Sequence, residues 1–129
     1  MEQTKVADKA AIYQAINDYY EGWYMPDVKQ MEQCLHTNLA KRALKFDDAG
    51  KEYLLHLSKE ATVDATRKGG GSDISAEKKN WTIVILDGYE EIATVKVASC
   101  EYIEYIHLAK HNGQWLIVNV LYTSNREDH

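Results

Sequence analysis

The chain has one proline, two cysteines and one phenylalanine among its 129 residues, and none of its apolar runs approaches the ~18 residues that a membrane span requires. Two cysteines far apart, Cys34 and Cys100, cannot build a disulfide scaffold or a paired CxxC set, so free thiols in a reducing compartment are expected. Cys34-Leu35-His36 has no second Cys/His pair to complete a tetrahedral set, and neither a metal nor a cofactor is expected. Basic clusters are missing too. Net charge is −5 with the signs interspersed, and the longest Lys/Arg groupings are pairs such as Lys41-Arg42 and Arg67-Lys68, which disfavours a nucleic-acid surface. The opening Met-Glu-Gln-Thr-Lys has neither the basic nor the apolar part of a secretory signal, so a cytoplasmic location without membrane association is expected. The Gly69-Gly70-Gly71 run has no preceding strand and no Gly-Lys-Ser/Thr; it reads as a helix stop and flexible turn, not a phosphate loop.

What is present is a globular composition, 45% hydrophobic and 27% charged, in a chain long enough for one core; residues 1–129 are expected to form a single domain. From Val6 to Trp23, Ile12, Ile16, Tyr19, Tyr20 and Trp23 recur at intervals of three and four, which predicts a helix with one buried stripe. Pro26 opens a second, shorter helix through Val28, Met31, Cys34 and Leu35. Residues 39–46 suit a brief strand. Tyr53, Leu54, Leu57, Ala61 and Ala65 predict a third helix from Gly50 to about Arg67. Beyond the glycines the pattern turns to antiparallel sheet. Trp81–Leu86 and Ile92–Ala98 flank the turn signal Asp87-Gly88, and Tyr102–Lys110 and Trp115–Thr123 flank Asn112-Gly113. Helices first and a meander last predict an α+β fold.

If Asn112-Gly113 is a two-residue turn, His111 faces Gln114 and unbroken alternation assigns the faces. One carries Glu104, Ile106 and Leu108 with Trp115, Ile117, Asn119 and Leu121; the other carries Ile103, Tyr105 and His107 with Leu116, Val118, Val120 and Tyr122. Glu104 then lies diagonal to Asn119, about 7 Å away at Cα, on an apolar surface where a carboxylate needs partners, water or a ligand. Both faces are largely apolar. One is therefore expected to cover the helices and the other, through Tyr105, His107, Val118 and Val120, to pack on a second copy of the chain. Lys96 falls opposite Glu104 if the turn at Ser99–Glu101 has three residues, and on the other face if it has two.

The order of elements, with "YYEGWYMPDVKQMEQCLHTNLAKRAL" early and "YIEYIHLAKHNGQWLIVNVLY" late, resembles the nuclear transport factor 2-like superfamily and, within it, the branch labelled putative lumazine-binding. The late motif is met by Glu104-Tyr105, Leu108, Lys110, Gly113, Trp115, Ile117 and Asn119. The resemblance implies a cone-shaped fold of three N-terminal helices on a curved antiparallel sheet. It also implies a pocket between the two, and dimerisation through the sheet. Members include ketosteroid isomerases, scytalone dehydratase and polyketide-cyclase-like enzymes as well as binding modules, so the fold does not choose a chemistry. Against the isomerases, Tyr19 falls on their helix tyrosine, but their proton-shuttling aspartate falls on Ala43, which moves no proton.

The expected function is a small-molecule pocket for an apolar or aromatic ligand, with Glu104 and Asn119 orienting it, Tyr19, Trp23 and Trp115 as walls and His36 at the mouth. One alternative is a dehydratase, isomerase or cyclase using His36 or Glu104 as general base. Another is a dimerising module without ligand, for which no closed cavity above about 100 Å³ is expected. Nine tyrosines against one phenylalanine suit a wet pocket.

Overall fold

A computed structural model describes residues 8–127; Val6, where the first helix was expected to begin, and the opening Met-Glu-Gln-Thr-Lys lie outside them. Helix α1 (Lys9–Tyr24) buries Ile12, Ile16, Tyr19 and Tyr20, the stripe its spacing dictates. A short helix, α2 (Val28–Cys34), starts where Asp27 accepts a hydrogen bond from the Gln30 N–H at 3.1 Å and caps its first turn. Strand β1 (Leu35–Phe46) follows directly and is longer than the segment expected for it. Among the described residues no helix is long and apolar enough to cross a membrane.

The expected third helix is half strand. β2 (Glu52–Leu57) pairs antiparallel with β1, Lys41 opposite Leu57, and α3 (Lys59–Arg67) begins only after Ser58, whose Oγ accepts the Ala61 N–H at 3.1 Å. The apolar spacing of Tyr53, Leu54 and Leu57 fits either element. Ser58, a preferred N-cap residue, and the tight turn at Gly50 (φ +82°), where Asp47 accepts the Ala49 and Lys51 N–H groups, decide for a hairpin followed by a helix.

The meander consists of β3 (Trp81–Tyr89), β4 (Ile92–Ser99), β5 (Tyr102–His111) and β6 (Gln114–Ser124). Together the strands form one six-stranded sheet in the order β2-β1-β6-β5-β4-β3, antiparallel except for the β1–β6 pair. α1, α2 and α3 cover one face, and Ile16, Met31, Val95, Val97, Ile106 and Ile117 fill the interior. The fold is α+β, with three helices on a curved sheet, though α3 follows two strands.

Two irregularities move residues from the faces that unbroken alternation assigns. Asp87-Gly88 is not the β3–β4 turn; the strand runs on to Tyr89, which pairs with Ile92, and the chain reverses at Glu90 (φ +48°). The extra residue, Leu86, forms a bulge beside Asp87. In the last hairpin Asn112 (φ +54°) and Gly113 (φ +80°) make the expected tight turn, and pairing starts in the expected register as far as Leu108 with Ile117. Val118 is then extra, and His107 pairs with Asn119, Ile106 with Val120 and Glu104 with Tyr122. One inserted residue exchanges the faces of everything beyond it. Val120 is therefore 2% exposed in the core and does not belong to the outer face, whereas Leu121 is 52% exposed there.

The glycine run is also more than a stop. Gly71 donates its N–H to the Trp23 carbonyl at 2.8 Å, and Cβ atoms added at Gly70 and Gly71 would lie 2.5 Å from that carbonyl oxygen and 2.7 Å from the Tyr24 ring. The segment is packed against the end of α1 and holds Trp23 in place. Gly70→Ala and Gly71→Ala are expected to destabilise the protein by about 2–3 kcal/mol each, whereas Gly113→Ala, whose added Cβ meets open space, costs about 1 kcal/mol of backbone strain; urea unfolding midpoints measure the difference.

Candidate functional site

Glu104 is 3% exposed and projects from near the start of β5 toward α1. Its carboxylate would be costly there without donors. Two adjacent tyrosines supply them. Tyr19 Oη donates to Oε2 at 3.3 Å and Tyr20 Oη donates to Oε1. The two rings meet edge to face with centroids 5.0 Å apart, so both hydroxyls converge on one carboxylate. Trp81 stacks between Tyr20 and Tyr24, at 5.4 and 5.9 Å, and its indole N–H donates to Asn17 Oδ1 at 2.9 Å, which fixes the tyrosines from behind.

The fourth member of the cluster is Lys41. Along β1, Leu39, Lys41 and Ala43 point inward by alternation, and Lys41 Nζ donates to Tyr19 Oη at 2.5 Å. Its ammonium also lies over the rings of Tyr19 and Tyr122, 4.9 and 5.2 Å from their centroids. Lys41 and Glu104 are thus bridged by a phenol, Nζ to Oη to Oε2.

Burial dominates the protonation of all four groups. It pushes the Glu104 carboxyl above the ordinary range, with the Lys41 charge and the two phenol hydroxyls pulling back. It pushes the Lys41 ammonium down, with Glu104 pulling back. Tyr19 and Tyr20 are raised by burial and then by the Glu104 charge, so they remain hydroxyl donors.

These groups line a cavity of about 70 Å³ between β1, β5, β6, α1 and α3. Trp23, Tyr102 and Tyr122 add aromatic wall, and α3 contributes only the small side chains of Ala61, Thr62 and Ala65. The volume holds a few waters or a few heavy atoms, lies below the 300–1,000 Å³ of ordinary ligand sites, and falls within the limit of about 100 Å³ expected of a module without a ligand.

Of the residues expected at the site, Tyr19, Trp23 and Glu104 come together here and three do not. Asn119 is on the opposite face, where its amide lies 3.3 Å from His107 Nδ1, because the Val118 bulge turned it outward. Trp115 is buried at the turn end of β6 and lines a separate cleft with Gln14, Asp18 and Gln33; its Nε1 has no hydrogen-bond partner among the described residues. His36 sits at the start of β1, five residues or about 16 Å of strand from Lys41, and contacts His111 at 2.9 Å. It is not at the cavity mouth and cannot act on anything held beside Glu104. Lys96 pairs with Tyr105 on the outer face, since the turn before β5 has two residues. Sequence reasoning missed Lys41, although the alternation of residues 39–46 would have placed it inward.

Solved structures similar to this one include several NTF2-like proteins. An NTF2-like protein of unknown function from Silicibacter pomeroyi DSS-3 superposes with a TM-score of 0.75 at 18% identity, over 95% of this chain and 99% of that one. Another, from Shewanella baltica OS155, gives 0.69 at 16% identity over 98% and 100%. A ketosteroid isomerase-like protein from Erwinia carotovora atroseptica SCRI1043 gives 0.59 at 13% identity over 91% and 95%. The fold is thus the one these NTF2-like structures share. A family model described as "Putative lumazine-binding" matches residues 7–123, and the chain belongs to that family. A comparison with curated proteins finds no match.

Raising an acid's pKa on folding gives stability that is complete below its ordinary value of 4.5 and is lost as pH rises through the folded value. The unfolding free energy is therefore expected to fall as pH rises above 4.5 toward the raised folded value, and Glu104→Gln is expected to flatten that fall. Glu104→Ala, which leaves two buried phenols without an acceptor, is expected to cost about 2–4 kcal/mol near pH 4.5 and less as pH rises. Denaturant titrations of the three proteins at several pH values test both.

Proposed function

We propose that this protein binds a small molecule in the cavity over Glu104, and that only a few heavy atoms of the ligand are buried. The observation that carries the reading is a buried carboxylate held by two phenols and bridged to a lysine at the wall of an aromatic cavity. Polar groups of this kind are costly in a core and converge where something polar is to be oriented. The family's description fits small-molecule binding, but a fused two-ring heterocycle such as lumazine is larger than the cavity. Binding is favoured over turnover because both oxygens of Glu104 already accept phenol hydrogen bonds, Ala43 is apolar, and His36 lies elsewhere. A thermal-shift screen of fragments with up to about six heavy atoms is expected to yield compounds that raise the unfolding temperature and quench Trp23 fluorescence. About 2.7 kcal/mol of stabilisation is expected at a hundredfold excess over Kd. Fragments that neither stabilise the protein nor perturb Trp23 would sink the proposal.

A second reading concerns assembly, and the outer face supports it. Val84, Tyr89, Ile92, Tyr105 and Leu121 are 39% or more exposed on that face, and His107 with Asn119 lies among them. An apolar patch of this extent on a soluble protein suits an interface, and a second copy of the chain packed sheet to sheet would cover it. Light scattering at micromolar concentration is expected to give a dimer mass, and Tyr105→Asp with Leu121→Asp a monomer. A monomeric unmodified protein would end this reading without touching the first.

A further inference from the structure

The donors and acceptors around the cavity do not balance. Glu104 accepts two phenol hydroxyls, and Tyr19 both donates to Glu104 and accepts from Lys41. An ammonium has three N–H donors. Lys41 spends one on Tyr19, and no protein acceptor takes the other two among the described residues, where the ion pairs are Arg67–Asp64 and Lys110–Asp8. Aromatic faces at 4.9 and 5.2 Å favour the cation without using those donors.

Charge narrows the ligand further. The groups facing Glu104 are Tyr19 and Tyr20 from α1, Lys41 from β1, Tyr122 from β6, and Tyr102 and Glu101 beside it, while α3 presents no charge. Lys41 is the one cation of that set, so with Glu104 ionised the pair is neutral. A second anion on Lys41 would leave the cavity with an unbalanced negative charge, and a proton taken up by Glu104 restores neutrality. A dianion such as phosphate would need two compensating charges, and the cavity of about 70 Å³ leaves room for only a few heavy atoms.

Building on the pocket reading above, we infer that the cavity takes a small monocarboxylate. Its oxygens accept from Lys41 Nζ, its short carbon chain lies against Trp23, Ala61 and Ala65, and its binding is coupled to uptake of one proton by Glu104. The ligand oxygens replace water on the two free N–H donors. The coupled proton makes affinity fall as pH rises, whereas an ion pair whose two partners stay fully ionised has an affinity independent of pH.

Propionate and its neutral isostere propionamide distinguish the cases. Calorimetric titrations at pH 5.5 to 8, in two buffers of different protonation enthalpy, are expected to show propionate binding at least about tenfold (~1.4 kcal/mol) tighter than propionamide. Proton uptake should approach one per propionate at the upper end of that range. Lys41→Met should lose that preference while keeping its far-ultraviolet circular dichroism and a cooperative unfolding transition. Glu104→Gln should bind propionate with no proton uptake and no pH dependence. Propionamide binding as tightly as propionate, or an unchanged Lys41→Met, overturns the carboxylate inference and leaves the pocket standing. Proton uptake that persists in Glu104→Gln overturns the coupling. Failure of both probes to bind or to perturb Trp23 fluorescence overturns the inference, and the fragment screen then decides separately whether the pocket reading survives.

Discussion

A carboxylate in the middle of an apolar sheet face must be paired, and the pairing of Glu104 with Tyr19 and Tyr20 ties the last hairpin to the first helix. The bonded residues are 84 and 85 apart in sequence, so the hydrogen bonds fix the long-range arrangement as well as the local chemistry. Around them every other polar choice follows. Tyr19 is available to Lys41 because its hydroxyl donates to Glu104, and Tyr20 keeps its orientation because Trp81 stacks on its far side. Within the cluster of Glu104, Tyr19, Tyr20 and Lys41, the lysine is the side chain with donors to spare.

The backbone delivers these groups through small departures from regularity. The extra residue at Val118 bends β6 and turns Val120 and Tyr122 inward, which places the Tyr122 ring beside Lys41. Without it Asn119 would stand near Glu104 and Tyr122 would point away. The packed glycines close the other end, where Gly70 and Gly71 approach Trp23 too closely for any side chain. α3 completes the cavity with small residues, so its size is set by what α3 lacks as much as by the aromatic walls. The outer face, relieved of Val120, retains an apolar surface whose geometry suits self-association.

Membership of the "Putative lumazine-binding" family and similarity to NTF2-like structures under 20% identical establish the architecture and leave the chemistry to the site. The residues that matter here are not all in the late motif that carries the resemblance. Asn119 and Trp115 belong to that motif, yet one points to the outer face and the other into a different cleft. Lys41 and Tyr20, outside it, hold the carboxylate's environment.

Periodicity alone determined the first helix, the meander strands and the tight turn at Asn112-Gly113, because these depend on local spacing and on residues that tolerate positive φ. It also determined that Glu104 would be buried and in need of partners. Tertiary structure decided which partners. The apolar spacing of residues 52–57 fits helix or strand; the turn at Gly50 and the cap at Ser58 bound them, and the edge of β1 supplied the pairing that makes them a strand. The face of every residue after Ile117 depended on a single bulge, and in a structure of period two one inserted residue reverses inside and outside. The carboxylate and the inward side of Lys41 could both be read from local alternation, whereas the Tyr19 hydroxyl and the Tyr122 ring that meet Lys41 were decided by tertiary structure alone.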